Sequence, residues 1–182
     1  MKLILHATSS GPLRDTLDRY WNQVRSDAKT TSAQHWFPHC TVTKTLRDSS
    51  HAKADLSVKQ VDLVCQDLED AVSSTLRNYQ QPQLSIPKER FGICEIDLAC
   101  SPWIQIGKLF HKNISTSLKL ECQVELRQHI SVAWGVGFLP EYHEPLFQEL
   151  FEGVSMESDH WKIGLWTEAQ DRWASVVQFD WT

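Results

Sequence analysis

The sequence predicts an α+β or α/β domain built from two similar halves, on three observations. Strand-like and helix-like segments alternate from end to end. Shifted by ninety positions without gaps, the chain overlays on itself in the same order of elements. No Gly-, Pro- or Ser-rich stretch is long enough to divide it, so the 182 residues are read as a single domain, 1–182.

Taken in order, Lys2 to Thr8 reads as a strand, and Gly11 punctuates it. Pro12 suits the first turn of a helix, where its missing N–H is no loss. Leu13, Leu17, Tyr20, Trp21 and Val24 recur at helical spacing and extend that helix to about Ala28. Trp36 to Thr45 is rich in β-branched residues and reads as a strand, and Asp48 to Asp55 as a loop. Val61, Val64, Leu68, Val72 and Leu76 mark a second amphipathic helix. Pro82 and Pro87 bracket a short strand, and Phe91 to Ala99 forms a longer one. Ser101-Pro102 opens a third helix carrying Trp103, Phe110, Ile114 and Leu118 on one side. Gln128 to Trp134 is a strand ended by Gly135 and Gly137. A helix between Pro145 and Gly153 and a hairpin of Trp161–Thr167 with Trp173–Trp181 close the chain.

In the overlay, Lys2–Thr8 falls on Gly92–Leu98, Pro12 on Pro102, and His39-Cys40-Thr41-Val42 on His129-Ile130-Ser131-Val132. Each half thus reads strand, Pro-initiated helix, and strand with His-x-[Thr/Ser]. The tripeptide occurs three times, at His6, His39 and His129, so by itself it proves nothing. The overlay sets His6 against Ile96 and leaves His6 and Thr8 outside the expected site.

In a strand, residues i and i+2 share a face, so His39 stands beside Thr41, and His129 beside Ser131. A twofold that brings both strands together gives two imidazoles and two hydroxyls. Phosphodiester cleavage needs this set: one imidazole takes a proton from water, and the other protonates the leaving oxygen. The hydroxyls donate to the non-bridging oxygens as charge builds at phosphorus. An imidazole ordinarily titrates near neutrality, so both forms are available.

The segments Phe37-Pro38-His39-Cys40-Thr41-Val42-Thr43 and Leu126-Arg127-Gln128-His129-Ile130-Ser131-Val132-Ala133-Trp134-Gly135 resemble the two-histidine (2H) phosphoesterase superfamily. In length and order of elements the chain looks most like its small cyclic phosphodiesterase branch. Gln128 stands before the second His, where many members carry Pro. The resemblance implies an α+β fold of two pseudo-symmetric lobes, each an antiparallel sheet with outer helices, and an active-site cleft between them (the LigT-like fold). It implies His39 and His129 as the catalytic acid/base pair, and Thr41 and Ser131 as substrate-binding hydroxyls. The implied activity is metal-independent hydrolysis of a nucleoside 2′,3′-cyclic phosphate or ADP-ribose 1″,2″-cyclic phosphate, with no cofactor. The alternatives are RNA 2′,5′-phosphodiesterase/ligase or RNA end-processing activity by the same residues, and a nucleotide- or RNA-binding module without turnover.

Other residues are placed more loosely. Trp134 and Trp166 are candidates to stack on a base, and Tyr142 to reach a substrate phosphate. Lys44, Arg47, Lys88, Arg90 and Arg127 are candidate sources of local positive charge. His35 and His39 are too far apart in an extended chain to share a zinc ion, and no H-E-x-x-H is present.

Composition narrows the classes. Seven Gly and seven Pro exclude low-complexity and collagen-like chains. A net charge of −5 argues against duplex DNA and favours a small substrate over long RNA, and the resemblance implies a small nucleotide or RNA-end substrate. Five cysteines without a C-x-x-C indicate neither a disulfide framework nor a zinc ribbon. With no secretory pattern at Met1–Thr8 and no membrane-length apolar run, a cytoplasmic monomer is expected.

Overall fold

The computed structural model describes residues 2–48, 56–76, 83–85, 93–99, 102–154, 160–169 and 172–181. The first half holds β1 (Leu3–Ser10), α1 (Pro12–Ser26), β2 (Cys40–Thr43), β3 (Arg47–Asp48), α2 (Val58–Leu76) and β4 (Gln83–Ser85). The second holds β5 (Ile93–Ala99), α3 (Trp103–Ser117), β6 (Leu120–Glu121), β7 (His129–Trp134), α4 (Pro140–Phe151), β8 (His160–Ala169) and β9 (Arg172–Trp181). The architecture is α+β.

Seven strands form one sheet in the order β4-β5-β7-β2-β1-β8-β9, with every neighbouring pair antiparallel. The sheets of the two halves join edge to edge at β2 and β7, where Cys40 faces Ile130. These two residues are ninety positions apart, so an antiparallel pair between them puts a local twofold axis at the seam. On either side of it the order is the same: β7 then β5, and β2 then β1.

The outer elements are exchanged between halves. β4, the last strand of the first half, pairs with β5, and β8 pairs with β1. Likewise α2 packs on α3, and α4 on α1. With helices and strands shared in this way, one continuous core runs through both halves.

Alternation sorts the two faces of the sheet. Leu3, Leu5 and Ala7 on β1, Cys94 and Ile96 on β5, and Ile130 and Val132 on β7 are buried in the common core. The helices meet that core with apolar stripes: Leu13, Leu17, Tyr20, Trp21 and Val24 on α1, and Trp103, Ile106, Phe110 and Ile114 on α3. α3 comes close at Gly107, where an added Cβ would stand 3.0 Å from Val124 Cγ1 and 3.3 Å from Val42 Cγ1. Ile4, His6, Thr41 and Ser131 lie on the other face, which forms the floor of a cleft.

Several expected boundaries move. α4 starts at Pro140 rather than near Pro145, which lies inside the helix. Pro140 takes the early position that suits its ring, and Pro145 gives up one bond in the second turn. The strand expected over Trp36–Thr45 shortens to Cys40–Thr43, because Ser32–His35 closes a 3₁₀ turn capped by Thr31. The small sheet β3–β6 had no counterpart in the sequence reading, since each strand is two residues long. Lys88, Arg90, Phe91 and Ser101 lie outside the described residues. No described helix is long and apolar enough to cross a membrane.

Candidate active site

With Cys40 opposite Ile130, the antiparallel register sets His39 beside Ser131, and Thr41 beside His129. Each imidazole therefore neighbours its own hydroxyl along the chain and the other lobe's hydroxyl across the seam. His39 and His129 stand on the diagonal, a relation that spans roughly 7–8 Å in a sheet. All four residues line one cavity of about 390 Å³. It is walled by Trp36, Phe37 and Trp134 and bordered by Lys44 and Arg47.

Local hydrogen bonds fix the two imidazoles. His39 Nδ1 lies 2.6 Å from the carbonyl of Phe37, and His129 Nδ1 lies 3.1 Å from the carbonyl of Arg127. A carbonyl only accepts, so both Nδ1 atoms carry protons, and both Nε2 atoms are left for chemistry. The same i to i−2 bond in both motifs is a further mark of the twofold. Burial pushes His39 down from its ordinary value of 6.5 to about 4, and the nearby His129 adds to that shift.

Gln128 secures the seam. It is buried, its side-chain carbonyl accepts the Cys40 thiol proton at 3.0 Å, and its amide donates to the carbonyl of Glu125. Where the first motif has Pro38 before its histidine, the second has a side chain that reaches across to the opposite strand.

Trp134 is held by the turn that follows β7. Its backbone N–H donates to Thr31 Oγ1 at 3.3 Å, and that of Val136 donates to Ser32 Oγ at 3.1 Å. Gly137 sits at φ 86°, and a Cβ there would come within 2.3 Å of the Thr30 carbonyl. Only glycine allows this approach.

Two expected candidates lie elsewhere. Trp166 does not line the cavity; it stacks behind Phe37, with ring centroids 4.2 Å apart. Tyr142 is on α4, which packs on α1 away from the cleft, and its hydroxyl donates to Asp27 Oδ2 at 2.6 Å. Arg127 is not a cavity cation either, because its guanidinium bonds Glu95 and Asp97.

The cleft also holds residues that sequence reasoning missed. His6 lines the cavity, and its ring stacks on that of His39. It faces Thr41 across β1–β2, as Glu95 faces Ser131 across β5–β7. The structural counterpart of His6 is therefore Glu95, not Ile96. Both strand pairs carry an irregularity at the same place, between Leu5 and His6 and between Cys94 and Glu95. Val42 and Val132 are the extra residues, at the same place in each half. His6 lies 33 residues before His39 and Glu95 lies 34 before His129, so the second half carries one residue more between strand and motif, and β1 and β5 correspond at an offset of eighty-nine. A one-residue slip turns every side chain to the other face, so the ungapped overlay put His6 on the wrong side. One signal was present: Glu95 and Asp97 alternate with Cys94, Ile96 and Leu98, marking an acidic face opposite the core.

Among the described residues, no group of three or more His, Cys, Asp or Glu is arranged to hold a metal ion.

No family model matches the chain, and no curated protein matches it. Solved structures similar to it include Escherichia coli LigT in apo form, at 9% identity and a TM-score of 0.48, covering 98% of this chain and 96% of that one. LigT complexed with 3′-AMP is similar at the same identity and TM-score, covering 100% of this chain and 97% of that one.

Proposed function

We propose that the cleft hydrolyses a ribose cyclic phosphate, either a nucleoside 2′,3′-cyclic phosphate or ADP-ribose 1″,2″-cyclic phosphate, to a phosphomonoester. His39 and His129 pass the protons, Thr41 and Ser131 hold the non-bridging oxygens, and no metal takes part. The observation that carries this reading is the register of Cys40 on Ile130, which gathers both His/hydroxyl pairs around one cavity. An in-line displacement at phosphorus needs a base and an acid on opposite sides, with donors between them. A diagonal pair of imidazoles with hydroxyls at the other two corners meets that need. The cavity volume lies at the small end of ligand pockets, roughly 300–1,000 Å³, which suits a nucleotide. Trp134 and Trp36 offer faces for a base.

A second reading, action on an RNA end or a 2′,5′-linked oligonucleotide, is favoured by one feature. Lys44 and Arg47 line both this cavity and an adjoining one bordered by His111, Glu121 and Gln123. A substrate with a phosphate beyond the reacting one would extend along those cations.

The test is a product analysis on the four nucleoside 2′,3′-cyclic phosphates, ADP-ribose 1″,2″-cyclic phosphate and 2′,5′-linked oligonucleotides. Opening of a cyclic phosphate, with the 2′-phosphate as product from a nucleotide, supports the first reading. Turnover of oligonucleotides alone supports the second. Binding without turnover across the panel leaves a nucleotide-binding module and overturns both.

A further inference from the structure

Although the two lobes are related by a twofold, their third side chains differ in chemistry. His6 and Glu95 hold equivalent positions, each opposite its lobe's hydroxyl and against its lobe's imidazole. One imidazole therefore lies against a second imidazole, the other against a carboxylate. Resting on the phosphodiesterase reading above, we infer that His6 and Glu95 are positioning residues that divide the roles: His6 keeps His39 neutral as the base, and Glu95 keeps His129 protonated as the acid.

On the His39 side, burial disfavours positive charge. The His6 ring lies 3.9 Å from the His39 ring at an interplanar angle of 23°. Two stacked imidazoles cannot both be charged without strong repulsion, so a proton on His39 excludes one on His6, and His6 acts on His39 as a neutral ring that shuts out water. Phe37 and Trp36 cover the same ring, and Lys44, Arg47 and His129 are the other charged or titratable groups lining the cavity. His6 itself is buried, its Nδ1 has no hydrogen-bond partner, and burial and His39 hold its proton affinity well below the ordinary value.

On the His129 side, Glu95 is buried and places Oε1 3.6 Å from Nε2. That is longer than a hydrogen bond and short enough for charge stabilisation. The Nε2 proton is thus available to a substrate oxygen while the carboxylate stabilises the imidazolium. Among the described residues, Arg127 bonds Glu95 and Asp97, and Asp97 faces His129 across β5–β7. The guanidinium of Arg127 bonds both acids and holds Glu95 in place. Titratable groups whose surroundings favour opposite charge states are how a site sets acid against base.

The step balances on these atoms. Water attacks phosphorus, the new O–P bond forms, and the water proton passes to His39 Nε2. The bond from phosphorus to one ribose oxygen breaks with its electron pair, and that oxygen takes the proton from His129 Nε2. Solvent exchange then removes one proton from His39 and returns one to His129.

Two measurements test this. The first follows the imidazole carbon-bound protons by NMR against pH, with His39→Ala and His129→Ala assigning the signals. As pH falls, His129 should take up its proton before His39. Glu95→Gln should move the His129 titration down and leave His39 in place. His6→Ala, which opens that face of the ring to water, should move His39 upward, whereas His6→Phe, which keeps it covered, should leave it low. Glu95→Asp, which keeps the charge but draws it back, should fall between wild type and Glu95→Gln. If His39 takes up its proton first, or if Glu95→Gln leaves His129 unmoved, the division is overturned whatever the substrate.

The second uses a nucleoside p-nitrophenyl phosphodiester, whose leaving group needs no proton. His129→Ala should cleave it within about tenfold of wild type while losing on the order of 10²–10⁴ on the cyclic phosphate. His39→Ala should lose both activities. The reverse pattern overturns the assignment. A wild-type protein that cleaves neither compound overturns the phosphodiesterase reading instead, and the NMR order still decides the charge division.

Discussion

The rings of His6 and His39 are stacked face to face, with centroids 3.9 Å apart, although His6 is on β1 and His39 immediately precedes β2. The contact brings a third histidine into a cleft where the sequence motif supplies two. It also gives His39 a wall that water does not share. His6→Ala, which the ungapped overlay predicts to be silent, should therefore impair activity by opening a void beside His39. His6→Phe should restore the packing and with it most of the activity. An unaltered rate and profile in both variants would mean that the stack has no part in the chemistry.

His39→Ala and His129→Ala should each lower kcat on a ribose cyclic phosphate by on the order of 10²–10⁴, the worth of one positioned acid or base. Groups acting in one step are not additive, so the double variant should lose far less than the product of the two losses. Thr41→Ala and Ser131→Ala should cost less than the histidine changes, up to roughly 10²–10³. Steady-state kinetics on variants with unchanged circular dichroism measures all of this. Independent, multiplicative losses would indicate two sites rather than one.

Stability should fall in mild acid. His39 is held from 6.5 down to about 4, so below 6.5 the unfolded chain binds a proton there that the folded chain refuses. Its contribution is therefore complete above pH 6.5 and shrinks as pH falls toward about 4, by about 1.4 kcal/mol per pH unit for each such imidazole. His6 is shifted in the same direction, so His6→Phe should flatten the decline. Urea midpoints across that range test the sign; a protein that gains stability on acidification contradicts the burial of these rings.

Chelation should leave turnover unchanged. Both Nδ1 atoms are committed to backbone carbonyls, and the proposed chemistry runs through the two Nε2 atoms alone. Dialysis against EDTA, followed by assay with and without added Zn²⁺ or Mn²⁺, decides the point. Loss with recovery on metal addition would replace the two-histidine mechanism.

Gly137→Ala should act on the site from a distance. A Cβ at this positive-φ position meets the Thr30 carbonyl at 2.3 Å, so the turn must shift and with it the segment that holds Trp134. The expected cost is on the order of 1–3 kcal/mol of stability, with KM raised more than kcat is lowered. Trp134→Ala should raise KM in the same way without the stability loss. If Trp134→Ala leaves KM unchanged, the ring does not touch substrate.

The sequence alone determined much of this molecule, because the signals involved are local. Helical spacing of apolar residues located α1, α2 and α3, prolines marked where α1 and α3 begin, and His-x-[Thr/Ser] placed each imidazole on the face of its own hydroxyl. The ninety-residue repeat is written into Cys40 and Ile130, which meet at the twofold. Tertiary structure decided everything that depends on how strands pair. The exchange of β4 and β8 between halves joins segments far apart in the chain, and no local pattern encodes it. Trp166 and Tyr142 were sent elsewhere by the packing of their own elements, on Phe37 and on Asp27. The second half has one residue more than the first between its opening strand and its motif, so β1 and β5 correspond at an offset of eighty-nine, and a strand's period of two turns that single residue into a change of face. That shift puts His6 against His39 in the cleft and Glu95 against His129, so that two motifs of like sequence acquire different surroundings.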